Sequence, residues 1–146
     1  MRKEELNKRY YHLPNEIMQL GLSVGEIAVY NYLKYCEDRK TYQCYPSYRK
    51  IGEALSISKK TVYKYVKSLE EKQLISTEPT TVTLKSGKKQ NGNLLYTIRP
   101  IQDATDFYYE KQMYELEKKS RDQEALEKLR KFEQKHPEMN ELEWLI

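Results

Sequence analysis

The sequence is poor in the side chains on which most catalytic and metal chemistry depends. Its 146 residues hold two cysteines, Cys36 and Cys44, and two histidines, His12 and His136. Their spacing matches no zinc pattern. A disulfide is improbable in a cytosolic protein, so both thiols are expected to be free, Cys36 in the core and Cys44 in a loop. The histidines are isolated and no nucleophile has a base nearby in sequence. Glu70 and Glu71 are adjacent on an expected helix and so do not share a face. No catalytic residue, metal or cofactor is expected. Gly87 and Gly92 open no Gly-Lys-Ser/Thr motif leading into a helix, which excludes a nucleotide-phosphate loop. No aromatic pair on an expected strand resembles a base-stacking platform for RNA. No apolar run is long enough to span a membrane, and the N-terminus lacks the apolar core of a signal peptide. A cytoplasmic protein is expected.

What is present is charge, 33% of residues against 38% hydrophobic. That composition suits one small domain plus an appendage. The net charge of +4 conceals an asymmetry. Residues 1–100 carry 18 Lys and Arg against 10 Asp and Glu, a net of +8, whereas residues 101–146 carry 8 against 12, a net of −4. A basic body with an acidic tail points to a nucleic-acid-binding unit and a segment with another task.

Ser47 to Ile75 carries the most information. Ser47 suits a helix N-cap, and Ile51, Ala54 and Leu55 follow as one apolar stripe. Gly52 costs this helix about 1 kcal/mol against Ala, but a small residue permits close approach of a second helix. Ser56 to Ser58 reads as a turn with Ile57 buried. Ser58 is a second N-cap, and Val62, Val66 and Leu69, with Tyr65 beside them, form the inner face of the second helix. The outer face holds Lys59, Lys60, Thr61, Tyr63, Lys64 and Lys67. Two short helices around a tight turn can place the second in the DNA major groove. There lysine can donate to guanine and a threonine methyl can pack on thymine.

These residues resemble the winged helix-turn-helix domains of small bacterial regulators and of plasmid and phage replication initiators. The resemblance covers residues 13 to 99. It rests on Leu22-Ser23-Val24-Gly25-Glu26, Tyr45-Pro46-Ser47-Tyr48, Ser58-Lys59-Lys60-Thr61-Val62 and Leu69-Glu70-Glu71-Lys72-Gln73-Leu74-Ile75. Gln73 departs from the pattern, since relatives often have Gly there. The resemblance implies a mainly α fold with a small β-hairpin wing, a winged helix-turn-helix followed by a C-terminal helical extension. It implies double-stranded DNA as partner, contacted through Ser47, Tyr48, Arg49, Ser58, Lys59, Lys60, Thr61, Tyr63, Lys64 and Lys67, and through Lys85, Lys88 and Lys89 of the wing. A transcriptional regulator and a replication initiator of a mobile element are both compatible with it. A module whose lysines meet an acidic protein partner is the alternative.

Three segments follow: an arm at 1–12, the DNA-binding domain at 13–100 and an acidic helical tail at 101–146. Arg2, Lys3, Lys8 and Arg9 of the arm could touch DNA, although Glu4 and Glu5 oppose this. Pro14 to Leu20 reads as a short helix stopped by Gly21. Ser23 to about Glu37 reads as a helix, opened by a Ser23–Glu26 capping box and buried along Ile27, Val29, Tyr30, Leu33 and Cys36. Residues 38–46 read as a polar loop. Strands are expected at Leu74–Thr77, Thr81–Leu84 and Leu94–Ile98, with residues 85–93 as the wing loop. Phe107 to Lys135 is helix-forming. Tyr109, Met113 and Leu116 make one apolar stripe, expected to reach the first helix of the body. Ala125, Leu129 and Phe132 make another. No heptad register joins the two stripes, so the tail is either two helices or one long helix with two patches. Leu129 and Phe132 are the expected contacts of a homodimer or of a protein partner. Met139, Leu142, Trp144, Leu145 and Ile146 close the chain as a small apolar terminus.

Overall fold

The computed structural model describes residues 10–136. The arm's Arg2, Lys3, Lys8 and Arg9, and the apolar terminus from Met139 to Ile146, lie outside the described residues. Contacts divide the chain into two units, with the division after Tyr108.

The first unit is built on three helices: α1 (Val24–Cys36), α2 (Tyr48–Leu55) and α3 (Lys59–Glu71). A 3-10 turn, Asn15–Gln19, precedes them and buries Ile17; Gly21, at φ +65, ends that segment. Each helix starts where a serine can serve its orphan amides. Ser23, Ser47 and Ser58 accept from the backbone N–H of Glu26, Lys50 and Thr61 respectively. The inner faces of the helices bring Val29, Tyr30, Leu33, Ile51, Val62, Val66 and Leu69 into one core. Each buried Val or Leu contributes about 1.5–3 kcal/mol relative to exposure. Ala54 is exposed, so the inner stripe of α2 is narrower than its spacing suggests.

Two features set the helix arrangement. At the turn, Ser56 adopts the left-handed conformation at φ 58, and the Ile57 N–H donates to the Gly52 carbonyl at 3.0 Å. The Ile57 carbonyl then lies over Gly52, and a Cβ there would stand 2.6 Å from its oxygen. Gly52 is thus required by the turn itself, not by a neighbouring helix as its small size had suggested. The second feature is Glu26, buried although charged. Its carboxylate accepts from the Ser23 N–H at 3.2 Å, from Ser68 Oγ at 3.0 Å and from Lys72 Nζ, with which it forms a 2.8 Å ion pair. The capping carboxylate of α1 is therefore also the polar link to the end of α3. Burial alone would raise its pKa, but the hydrogen bonds from Lys72, Ser23 and Ser68 outweigh burial and hold it below the ordinary value.

Helix α3 ends in a Schellman arrangement. Gln73 is left-handed at φ 66, its N–H donates to the Glu70 carbonyl at 3.1 Å, and the Leu74 N–H donates to the Leu69 carbonyl at 3.1 Å. Gln73 occupies the position that glycine favours, and its side-chain oxygen accepts from Arg99.

The chain continues through β2 (Ile75–Glu78), a hairpin of β3 (Thr81–Thr83) and β4 (Lys89–Asn91), and β5 (Leu95–Ile98). β5 pairs antiparallel with β2, placing Ile75 opposite Ile98 and Thr77 opposite Tyr96. On its other side β5 pairs with β1, the two residues Gln43–Cys44, which interrupts the expected loop at 38–46. Cys44 is therefore a buried strand residue, not a loop residue. Its thiol donates to the Leu33 carbonyl at 3.6 Å, and burial pushes its pKa up to about 12. Both thiols are free, and Cys36 is the more accessible.

The last helix, α4 (Ile101–Lys135), is one uninterrupted helix that starts six residues before the expected Phe107. Its first two turns belong to the first unit, where Ala104 is buried and Ile101 and Tyr108 pack on the core. In the second unit every residue from Tyr109 to Lys135 is exposed. Tyr109, Met113 and Leu116, the stripe expected to reach the first helix, are exposed.

Two outcomes test this account. Gly52→Ala would gain about 1 kcal/mol of helix propensity but meets the Ile57 carbonyl, an overpacking that costs about 1–3 kcal/mol. A lower thermal midpoint is expected, and an unchanged or higher one would contradict the constraint. For Glu26, a folded-state pKa below the ordinary 4.5 means that its contribution is fully present above that value. The contribution is lost as pH falls through the depressed value. Glu26→Gln should cost about 1–2 kcal/mol near neutral pH. The gap between variant and wild type should narrow on acidification, as measured by denaturant unfolding across pH.

Candidate nucleic-acid interface

Ser58 caps α3 and its Oγ lies 2.8 Å from Thr61 Oγ1, so the first turn holds itself rigid. The helix then divides by burial. Val62, Val66 and Leu69 face the core, while Lys59, Lys60, Tyr63, Lys64 and Lys67 are exposed and Thr61 is half-buried. The exposed cations are not equivalent. Lys67 lies 3.8 Å from Glu70, and its Nζ sits 5.6 Å from the centre of the Tyr63 ring. Among the described residues, Lys59, Lys60 and Lys64 have no ion-pair partner within 4.0 Å. Unpartnered charge is therefore concentrated on the first two turns of α3.

Helix α2 contributes its N-terminus. The Ser47 hydroxyl is engaged as the cap, accepting from Lys50 N at 3.0 Å. Tyr48 is half-buried, its ring edge-on to Tyr63 with centroids 6.2 Å apart. Burial, then the neighbouring Tyr63 and Glu70, raise the pKa of Tyr48, which keeps its hydroxyl a donor. Arg49 pairs with Glu53 at 2.9 Å, both side chains largely exposed at 75% and 68%. An exposed pair of this kind is worth about 0–1 kcal/mol, so the guanidinium is held only weakly.

The β3–β4 hairpin is the wing. Leu84 N donates to the Lys88 carbonyl at 2.8 Å and Gly87 N donates to the Leu84 carbonyl at 2.9 Å, with Gly87 at φ +82. This is a three-residue loop whose last member must be left-handed, which glycine does without strain. It presents Lys85 in the loop, Lys88 immediately after it and Lys89 on β4, all exposed. Lys89 to Asn91 were expected in the loop. They form a strand because the hairpin is shorter than the gap between the apolar segments.

The three contributions are joined at their base. A cleft of about 320 Å³ is lined by Ser47, Tyr48 and Arg49 from the start of α2, Lys59 from the start of α3, and Asn93 and Leu94 below the wing. Asn93 also donates from Nδ2 to the Tyr45 carbonyl at 3.2 Å, tying the base of the wing to the approach of α2. Asn93 is not among the expected contacts, because it enters only through this juxtaposition; the exposed Lys50 lines a neighbouring cleft with Asn93. The remaining expected contacts, Leu129 and Phe132, are exposed on the second unit. Among the described residues, no cluster of three or more His, Cys, Asp or Glu could hold a metal. No helix among them is long and apolar enough to cross a membrane.

Residues 20–75 match a family model described as a helix-turn-helix domain. No curated protein matches the chain. Among solved structures the chain is similar to a possible transcriptional regulator from Methanosarcina mazei Go1, at 15% identity over 86% of this chain and 88% of that one, with a TM-score of 0.49. It is also similar to S. aureus MepR, solved as a DNA complex, at 17% identity over 78% and 86% of the two chains with a TM-score of 0.37. A third similarity is to Lactococcus lactis ZitR, at 16% identity over 84% and 73% with a TM-score of 0.36. At these identities and scores, the winged arrangement rests on the helices and the hairpin themselves.

Proposed function

We propose that the chain binds double-stranded DNA in a sequence-specific manner, with α3 in the major groove and the wing on the flanking backbone. The observation that carries this reading is the set of unpartnered lysines, Lys59, Lys60 and Lys64, on the first two turns of a helix that follows a tight turn. Residues at the start of a recognition helix meet base edges, while neighbouring cations and helix N-termini meet phosphates. In this reading residues 13–100 form the DNA-binding domain, and the role is that of a transcriptional regulator. A replication initiator would use the same docking, and the number of repeats at the natural site separates the two: paired half-sites for a regulator, several repeats for an initiator.

The tail supports self-association. Leu126, Leu129 and Phe132 are 61%, 55% and 49% exposed. At 3.6 residues per turn, Leu129 stands roughly 140° around the helix from Leu116, so the outer patch turns away from the inner one. Charge also divides along α4. Residues 101–118 hold five acids and two bases, and residues 119–136 hold four acids and six bases. Two copies side by side in antiparallel order would set opposite signs against each other. The reading is therefore a homodimer through the C-terminal helices, with Leu129 and Phe132 at its contact.

Two measurements test the proposal. In gel shifts, Lys60→Ala and Lys64→Ala should weaken duplex binding with little change in thermal midpoint. Changing Lys85, Lys88 and Lys89 together to Ser should weaken binding to all duplexes and reduce the salt slope by about three. No shift of any duplex by wild type at low salt would reject DNA and favour an acidic protein partner. In sedimentation, the full chain should be dimeric at tens of micromolar and Leu129→Glu/Phe132→Glu monomeric. A monomeric wild type rejects the dimer.

A further inference from the structure

A second cleft lies where the C-terminal end of α1, the end of β5 and the first residue of α4 converge. Its volume is about 380 Å³, and no residue of α3 or the wing lines it. Its wall is largely apolar, formed by Tyr30, Tyr42, Ile98, Pro100 and Ile101. Among the described residues, Glu37 is the only carboxylate lining it. The Glu37 side chain is 6% exposed, and Oε1 accepts from Lys34 Nζ at 2.9 Å. Oε2 is buried and has no hydrogen-bond partner among the described residues.

A buried carboxylate oxygen without a donor is uncommon, because desolvation is then uncompensated. Here the oxygen belongs to a residue that also lines a cavity large enough for an organic molecule. The charge of Glu37 is already balanced by Lys34, and Arg99, at the same wall, is paired with Asp103 at 3.2 Å. What Oε2 lacks is a hydrogen-bond donor, not a nearby positive charge. We propose that this cleft binds a small, mainly apolar, uncharged molecule that donates one N–H or O–H hydrogen bond to Glu37 Oε2. The apolar walls take its body, and the orphan oxygen fixes its orientation. The site is separate from the DNA face, so its test does not depend on DNA binding.

Indole and 1-methylindole are suitable probes, since they share an apolar ring body and differ in the single N–H. Titration of the full chain, followed by ligand-observed saturation-transfer NMR, should show indole binding roughly tenfold more tightly than 1-methylindole, the difference expected for a hydrogen bond to a charged acceptor. In Glu37→Gln, with thermal unfolding confirming the fold, the Lys34 contact holds the amide oxygen in the place of Oε1. The amide nitrogen then stands at the orphan position, and the preference for indole should vanish. Equal affinity of wild type for the two probes, no binding of either at millimolar concentration, or an indole preference that survives in folded Glu37→Gln would each overturn the proposal.

Discussion

The carbonyl oxygen of Ile57 lies where a side chain on residue 52 would begin, and the presentation of the interface follows from that contact. The turn between α2 and α3 has three residues. A left-handed Ser56 reverses the chain, and the Ile57 amide closes onto Gly52. Backbone atoms thereby constrain the direction in which α3 leaves the turn. Val62 can then reach Gly52, its Cγ2 3.7 Å from where a Cβ there would lie, so the tight turn and the buried face of α3 are one packing problem. Placing lysines on the first two turns of such a helix is useful only because the turn fixes where they point.

The distribution of ion pairs separates supporting charge from displayed charge. Lys34, Lys72 and Arg99 each hold a carboxylate that caps, links or continues a helix. Lys67 is held beside Glu70 and the Tyr63 ring. The cations left without partners on α3 and on the wing are all solvent-exposed, where a polyanion meets little desolvation cost in reaching them. The same division explains why the net charge of +4 understates the basicity of the proposed interface.

The helices were legible because their start signals are local. A serine three residues before Glu26, Lys50 or Thr61 needs no tertiary knowledge to be read as a cap, and the structure forms all three. The features that escaped depend on partners far away in sequence. β1 is only two residues long, too short for any alternation, and exists because β5 offers a free edge. Cys44 therefore reads as a loop residue in the sequence alone. Ile101 and Ala104 pack on the core although the sequence reads a helix only from Phe107, because their partners lie in distant segments. Gln73 obscured the end of α3 because it is the wrong residue for its conformation, and the backbone adopts the left-handed turn regardless. Within the candidate site, the residues of α3 were readable from periodicity. Asn93 entered only once the base of the wing was seen beside the start of α2.

Glu26 carries the last consequence. One carboxylate caps α1, accepts from Ser68 and neutralises Lys72. A replacement at residue 72 strands a buried anion, and a replacement at residue 26 strands both a cap and a cation. Neither step is neutral alone, so drift through sequence space must move these positions in concert. Among homologous chains, residues 23, 26, 68 and 72 should covary as a block, while the exposed lysines of α3 remain free to diverge with whatever each chain has to recognise.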